Sequence, residues 1–298
     1  MKQGDLVVRK SYGGDMLFRI AAVGGKDALL RGMDYRLLAD APIQDLQAVR
    51  YPDELGGTRT ARIHTNESLR RMREERVRTA SLSRQPNDSD YRRQPFFELP
   101  GKVLHLDGDA NYLKKSMQVY NQLHVPAEGA HCLESQMPLV LQRLLPHVRP
   151  DIVVITGHDG VLKQREDLQH IGSYKNSLNF VHSVNVAREY ERNRDSLVVV
   201  AGACQSHFEA LLQAGANFAS SPGRIMIHAL DPVYVAVRAA FTPFRETINI
   251  ADVIAHTISG MQGVGGIETV GKYRIGVPNM KPPTIAPSTI TGSNVNVL

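Results

Sequence analysis

From about residue 100 onward, short apolar runs alternate with segments of helical periodicity. Runs such as Val153-Val154-Ile155 and Val198-Val199-Val200 consist of β-branched residues, which favour buried strands. Strands that alternate with helices are typical of an α/β domain with a mostly parallel sheet. This pattern therefore predicts an α/β domain over residues 99–280.

The periodicity also predicts individual elements of that domain. Strands are expected at Lys102–Leu106, Asp151–Thr156, Leu197–Ala201 and, as a short one, Asn217–Ser220. Helices are expected at Ala110–Leu123, Leu133–Leu145, Ser183–Asn193, Ser206–Ala214 and Ile248–Met261. The run Gly263-Val264-Gly265-Gly266 follows a predicted helix and is interpreted as a turn instead of a phosphate loop.

The first hundred residues have a different character. Short apolar runs separated by glycine pairs predict a small β-barrel domain over residues 1–55. Residues 56–98 follow as an arginine-rich helix, at Glu67–Arg78, and a polar linker, and residues 281–298 form a tail that we expect to be flexible. Residues 60–93 hold nine arginines and no lysine against five acids, so most of the net charge of +5 belongs to this segment.

Composition excludes several classes of protein. No apolar run approaches the roughly 18 residues of a membrane span, and the opening residues lack the apolar region of a signal peptide. Two cysteines in 298 residues indicate a reducing compartment and no disulfide framework. Histidines and cysteines lack metal-site spacing, so we expect neither a metal nor another cofactor.

Two predicted strands end in a similar way, and their ends carry the candidate chemistry. One runs into Gly157-His158-Asp159-Gly160, and the other into Gly202-Ala203-Cys204. The carboxyl ends of parallel strands meet at one edge of the sheet, so neighbouring strands would bring His158 and Cys204 together. A thiol next to an imidazole is the pair that a cysteine peptidase needs. The helix predicted directly after Cys204 would favour the thiolate.

Residues around this pair are candidates for supporting roles. Asp159, Gly160, Gly202 and Ala203 are expected to supply room for a substrate backbone and main-chain N–H groups for an oxyanion hole. Asp107 and Asp109 follow the first predicted strand and could line a pocket for an arginine, although Asp109 could equally cap the helix after it. Cys132 has no predicted strand before it and is interpreted as structural. His207 is expected to pack.

A hydrophobic block that ends in His-Gly, followed by one that ends in Ala-Cys, resembles the caspase, legumain and clostripain clan. The resemblance implies a three-layer α/β/α sandwich with a Cys-His dyad, and the spacing of 46 residues is close to the roughly 50 found in caspases. The sequence departs from the clan in two ways. Asp159 stands between His158 and Gly160, and Gly202 stands where an acidic or amide residue is usual.

A longer resemblance covers essentially the whole chain. Gly4 to Tyr12, the His-Leu-Asp-Gly-Asp run at 105–109, Ile155 to Gly160 and Gly202 to Glu209 resemble the YabG peptidase family of endospore-forming bacteria. This resemblance implies cleavage after arginine, with spore coat and cortex-processing proteins as substrates. It further implies action in the mother cell, in association with the forming coat. A homodimer is left open.

Two other functions stay open at this point. A glutamine-amidotransferase-like hydrolase also places its cysteine on a strand-to-helix elbow, but prefers glycine where Ser206 stands, and its histidine would be His228 or His256. An RNA-binding protein would use residues 1–95, although that segment mixes acids with its arginines and offers few aromatic residues.

Arginine specificity would also make the linker a target for self-cleavage. Arg84 lies in the polar stretch Ser81-Leu82-Ser83-Arg84-Gln85, which resembles the exposed segments that proteases cut. We therefore predict self-cleavage after Arg84.

Overall fold

The computed structural model describes residues 1–51, 63, 65–74, 97–162 and 167–276. Its N-terminal strands are β1 (Leu6–Arg9), β2 (Phe18–Gly24), β3 (Asp27–Gly32), β4 (Leu38–Pro42) and β5 (Leu46–Ala48). They form an antiparallel sheet in the order β4-β3-β2-β1-β5. Among the described residues β4 and β5 do not pair, so the predicted barrel is not closed.

The sheet must nevertheless curl strongly. Strands β4 and β5 lie at opposite edges, which in a flat five-stranded sheet would be about 19 Å apart. The link between them is a single 3-10 turn, Ile43–Asp45, which advances only about 2 Å per residue. The edges therefore approach each other without forming a ladder. Val7, Phe18, Ile20 and Leu30 belong to one buried hydrophobic cluster of this sheet.

A six-stranded sheet forms the centre of the larger domain. Its strands are β7 (Val103–Asp107), β8 (Ala127–His131), β9 (Ile152–Thr156), β10 (Val198–Ala201), β11 (Phe218–Ser220) and β12 (Val264–Gly266). Their order is β12-β11-β10-β9-β7-β8, and every neighbouring pair is parallel except β11 and β12. The prediction of an α/β domain with a mostly parallel sheet is confirmed.

Helices cover both faces of this sheet. Residues 65–74 form α1, and the later helices are α2 (Ala110–Gln122), α3 (Met137–Val148), α4 (Ser177–Tyr190), α5 (Phe208–Ala214), α6 (Asp231–Phe241), α7 (Ile250–His256) and α8 (Gly260–Gly263). Alternate side chains of each strand enter two separate cores. Val154 packs in a cluster with Val233 of α6, whereas Val153 packs in a cluster with Leu141 of α3 and Phe180 of α4. A short ribbon of β6 (Phe97–Leu99) and β13 (Arg274–Gly276) completes the described structure.

Most predicted elements are present with shifted ends, whereas five described elements were missed: β6, β8, β12, β13 and α6. Strand β8 is an edge strand of small and polar residues, so Cys132 does have a strand before it, contrary to expectation. Helix α6, which was also missed, is buried over nearly its whole length. The run at 263–266 is not a free turn, because it ends α8 and forms β12. None of the described helices is long and apolar enough to cross a membrane.

Candidate functional site

The ends of three adjacent strands bring the candidate residues to one edge of the central sheet. Strands β9 and β10 are neighbours, with Ile155 opposite Ala201, so the loops that carry His158 and Cys204 lie side by side. Strand β7 flanks β9 on its other side and ends at Asp107. The arrangement places Asp107, Asp109, His158 and Cys204 in one region, as the strand pattern predicted.

Cys204 is fully buried and neutral. Its Sγ accepts a hydrogen bond from the Ile227 N–H at 3.2 Å and lies 3.5 Å from the Ile227 carbonyl oxygen. Burial raises the pKa of the thiol to about 12, against smaller opposing effects of the Ile227 N–H and Arg36. The following helix begins at Phe208 instead of Ser206, so its N-terminus does not lie at the thiol as predicted.

His158 is held in a fixed orientation by one ring nitrogen, while the other ring nitrogen makes no hydrogen bond to the described residues. Its Nε2 lies 3.0 Å from Asp109 Oδ2, and its main-chain N–H donates to Glu134 Oε1 at 2.9 Å. The Tyr112 ring packs against the imidazole at 5.3 Å between centroids. Nδ1 is buried and has no hydrogen-bond partner among the described residues. His158 and the Cys204 thiol form no hydrogen bond with each other here.

Asp109 serves two purposes at once. Its Oδ1 accepts from the N–H groups of Asn111 and Tyr112 and so caps α2, while Oδ2 contacts His158. Burial alone would raise the pKa of this carboxyl, but the interactions with His158 and the N–H groups of Asn111 and Tyr112 together outweigh burial and lower the pKa. An ionised Asp109 therefore fixes the orientation of the imidazole.

Asp159 ties the two loops together. Its Oδ1 accepts from the N–H groups of Gly160 and Asn176, and Oδ2 accepts from the hydroxyls of Ser177 at 2.6 Å and Ser206 at 2.9 Å. Ser206 belongs to the Cys204 loop, so Asp159, the residue between His158 and Gly160, links the His158 loop to the Cys204 loop by a hydrogen bond. Burial raises the pKa of Asp159 despite these bonds.

Residues 34–38 of the N-terminal domain lie in the cleft, where Tyr35 and Leu37 form single β-bridges with His228 and Asp159. Ile227 O accepts from the Arg36 N–H at 3.3 Å, and the Ala229 N–H donates to Asp34 O at 2.9 Å. On the other side, the Leu38 N–H donates to Asp159 O at 2.9 Å. A Cβ on Gly160 would come within 2.5 Å of Leu38 O, so glycine is needed for this close approach.

The carbonyl oxygen of Arg36 accepts hydrogen bonds from the two loops that carry His158 and Cys204. The N–H groups of Cys204 and Asp159 both donate to it, each at 3.3 Å. Of the four residues predicted to supply oxyanion N–H groups, only one donates to this oxygen. Asp159 supplies a donor, whereas the Gly160, Gly202 and Ala203 N–H groups bond elsewhere, to Asp159 Oδ1, Ile155 O and Ser206 Oγ.

Gly202 has a conformational role in this arrangement. Its φ of 110° lies in the region that favours glycine, and an added Cβ would come within 2.9 Å of Leu211. This backbone conformation and the close contact explain why position 202 needs glycine.

The Arg36 side chain is completely buried against Asp107. Its Nη1 lies 2.9 Å from Asp107 Oδ2 and 3.1 Å from Oδ1, and its Nε donates to Ala229 O at 3.0 Å. The guanidinium carbon stands 5.0 Å from the centre of the Tyr112 ring. Burial would raise the pKa of Asp107, but Arg36 and His105 outweigh it and lower the pKa to about 2. The pocket thus holds an arginine by charge, hydrogen bonds and an aromatic face.

The remaining candidates have local roles. Cys132 is buried at the end of β8, and burial raises its thiol pKa to about 12. His207 caps α5 and packs on Tyr174. His228 lies 3.3 Å from Thr65 Oγ1, and His256 bonds to its own helix. The part of the chain that the structure covers has no group of three His, Cys, Asp or Glu residues that could hold a metal ion.

The sequence analysis did not identify three groups that take part in the candidate site. These are the Arg36 side chain, the Cys204 N–H and Glu134. The Glu134 carboxylate lies so close to Gly108 and Gly157 that an added Cβ at either position would clash with it. Only the position of Glu134 just after β8, at the active edge, could have drawn attention to it. A surface cavity lined by Phe241, Tyr273 and Ile275 also includes His256, but it does not include Cys204, His158 or Asp107. The cleft at Cys204 is itself filled by residues 34–38.

Comparisons with known proteins agree with the family expectation. The family described as "YabG peptidase U57" matches residues 2–278. The chain is similar to "Sporulation-specific protease YabG" of Bacillus subtilis (strain 168), with 46% identity over 281 residues, covering 92% of this chain and 97% of that protein. No solved structure gives a significant match.

Proposed function

Because this chain belongs to the YabG peptidase family and is a protease, we propose that it is a cysteine endopeptidase with Cys204 as nucleophile and His158 as base, cleaving after arginine. The observation that carries the proposal is the placement of Arg36. Its carbonyl oxygen accepts from the Cys204 and Asp159 N–H groups, as a scissile carbonyl would in an oxyanion hole. Its side chain at the same time fills an acidic pocket.

The dyad needs one rearrangement for catalysis. The sulfur must leave its contacts with Ile227, because a neutral thiol of pKa about 12 is a poor nucleophile. His158 offers an unpartnered Nδ1 to take the proton, while Asp109 on Nε2 stabilises the imidazolium that forms. The protonated ring can then donate to the leaving amine.

Asp107 supplies the specificity. It sits at the end of β7, and its carboxylate is further held by the Thr156 hydroxyl at 3.1 Å and the Asp109 N–H at 2.9 Å. A rigid, ionised carboxylate in a buried pocket selects the guanidinium over neutral side chains. The natural substrates that we propose are spore coat and cortex-processing proteins in the mother cell, since the chain resembles a sporulation-specific protease.

Replacing Asp107 by asparagine should remove the preference for arginine. Charge-assisted hydrogen bonds contribute about 1.5–3 kcal/mol, so the ratio of kcat/KM for arginyl over citrullyl peptides should fall roughly 10- to 150-fold. Citrulline has the shape of arginine without its charge, so the ratio isolates the charge term. Asp45→Asn, which breaks the Asp45–Arg9 pair of the N-terminal sheet, is the matched control. An unchanged ratio in Asp107→Asn would place the specificity elsewhere.

The buried thiol predicts slow alkylation of the folded chain. At pH 8 a thiol of pKa about 12 is ionised to only about 1 part in 10⁴, whereas an ordinary cysteine is ionised to about a quarter. In a His158→Ala chain, which keeps both cysteines, iodoacetamide should modify Cys204 at least about 10³-fold more slowly than in the chain unfolded in urea. Peptide mapping by mass spectrometry gives both rates. Rapid modification of Cys204 would mean that residues 34–38 do not cover it.

A further inference from the structure

We propose that residues 34–38 are the enzyme's own substrate, and that Cys204 cleaves the Arg36–Leu37 bond of the same chain. This inference rests on the proposed function, because it uses the same nucleophile, oxyanion donors and arginine pocket. Beyond the proposed function, it names the bond that is cut and describes a state in which residues 34–38 of the same chain occupy the cleft.

The main-chain contacts support a substrate and not only a docking loop. Hydrogen bonds hold the strand on both sides of the Arg36–Leu37 bond: Arg36 N–H to Ile227 O before it, and Leu38 N–H to Asp159 O after it. Extended peptides bind in this way when they add a strand to an existing edge. The carbonyl between these anchors is the one that receives both oxyanion donors.

The side chain adds an independent argument. A completely buried arginine is costly unless it is paired, and a salt bridge made only to dock two domains would not need to lie beside a nucleophile. Here the guanidinium of Arg36 meets Asp107 at 2.9 Å while its carbonyl oxygen lies 3.3 Å from the Cys204 nitrogen. One residue thus fills both the specificity pocket and the oxyanion hole.

The reaction is an ordinary acyl transfer. The Cys204 sulfur bonds to the Arg36 carbonyl carbon as its proton passes to His158, and the bond from that carbon to the Leu37 nitrogen breaks. His158 returns the proton to the Leu37 amine, which leaves as a new N-terminus. Water then hydrolyses the thioester, giving an Arg36 carboxylate and restoring the Cys204 thiol.

The geometry also indicates cleavage within one molecule. Residues 33–37 connect β3 to β4, and the domain that carries them docks beside the cleft, with Lys175 2.8 Å from Asp40 and Tyr112 Oη bonded to Tyr35 O. A tethered segment has a high effective concentration at the site. Arg84, the self-cleavage position predicted from the sequence, lies outside the described residues and stays a separate prediction.

The test is denaturing mass spectrometry of purified full-length chain after incubation at several protein concentrations. Wild type should yield pieces 1–36 and 37–298, with a new N-terminus at Leu37 and a first-order rate that does not change with concentration. Cys204→Ala should stay intact. Arg36→Gln should lose this cut, whereas Arg50→Gln, which alters an exposed arginine beyond β5, should keep it.

Parallel assays on an arginyl peptide separate this inference from the proposed function. A wild-type chain that cleaves the peptide but keeps its Arg36–Leu37 bond overturns the inference alone. The inference alone is also overturned if Arg36→Gln cleaves the peptide and wild type does not. In that case residues 34–38 would block the cleft without being cut. Inactivity of both chains would overturn the proposed function and the inference with it. If Arg36→Gln fails to fold, the wild-type chain still tests the inference, because a new N-terminus at Leu37 supports it and an intact Arg36–Leu37 bond overturns it.

Discussion

Replacing Cys204 by alanine is expected to abolish peptidase activity, with a loss of at least about 10⁴-fold in kcat for arginyl peptides. The substitution deletes the sulfur that we propose as the nucleophile, and no other described thiol lies in the cleft. The fold should survive, because removal of one buried sulfur leaves only a small cavity. We expect a cost of about 1 kcal/mol in the free energy of unfolding, visible as a modest fall in Tm.

Cys132→Ala is the matched control for this experiment. Cys132 is also a buried thiol that follows a strand of the same sheet, and its pKa is likewise raised to about 12. It should retain near-normal kcat/KM with a similar small loss of stability. Equal loss of activity from the two substitutions would contradict the assignment of Cys204.

Replacing His158 by alanine should lower kcat by roughly 10²–10⁴-fold, the usual contribution of general acid–base catalysis. Without the imidazole, the thiol has no acceptor for its proton and the leaving amine has no donor. The loss should be smaller in alkaline buffer, where hydroxide converts more of the thiol into thiolate. A pH–rate profile from pH 6 to pH 10 measures both effects.

His228→Ala is the informative comparison. A glutamine-amidotransferase-like enzyme would use a histidine after the cysteine as its base. That alternative therefore predicts an inactive His228→Ala chain. His228 instead lies 3.3 Å from Thr65 Oγ1 and has its ring near Tyr35. We expect this variant to keep most of its activity. An inactive His228→Ala chain beside an active His158→Ala chain would reverse the assignment.

The sequence was sufficient for those parts of the site that depend on strand order. Runs of valine and isoleucine identified β9 and β10, and their carboxyl ends located His158 and Cys204 correctly at one edge. Helix α2 was also found, because Asp109 is a good N-cap before a regular amphipathic segment. Such features depend on residues close together in the chain.

Features that depend on distant residues were out of reach. Strand β8 lacks β-branched residues and is recognisable only beside β7. Arg36 is 71 residues from Asp107 in the chain, and the sequence around Arg36 gives no sign that it contacts the end of β7. The role of Asp159 is similar, since it appeared as a departure from the motif until its contacts with Ser177 and Ser206 were seen.

The strand order of the N-terminal sheet determines how a chain broken after residue 36 would behave. Strands on opposite sides of the break are interleaved: β4 pairs with β3 over five residue pairs, and β5 pairs with β1 over three. The two pieces would therefore remain one particle, much like a non-covalent heterodimer of a short and a long chain. Size-exclusion chromatography would report an intact protein, and the cleft would open by local withdrawal of a few residues instead of loss of a domain.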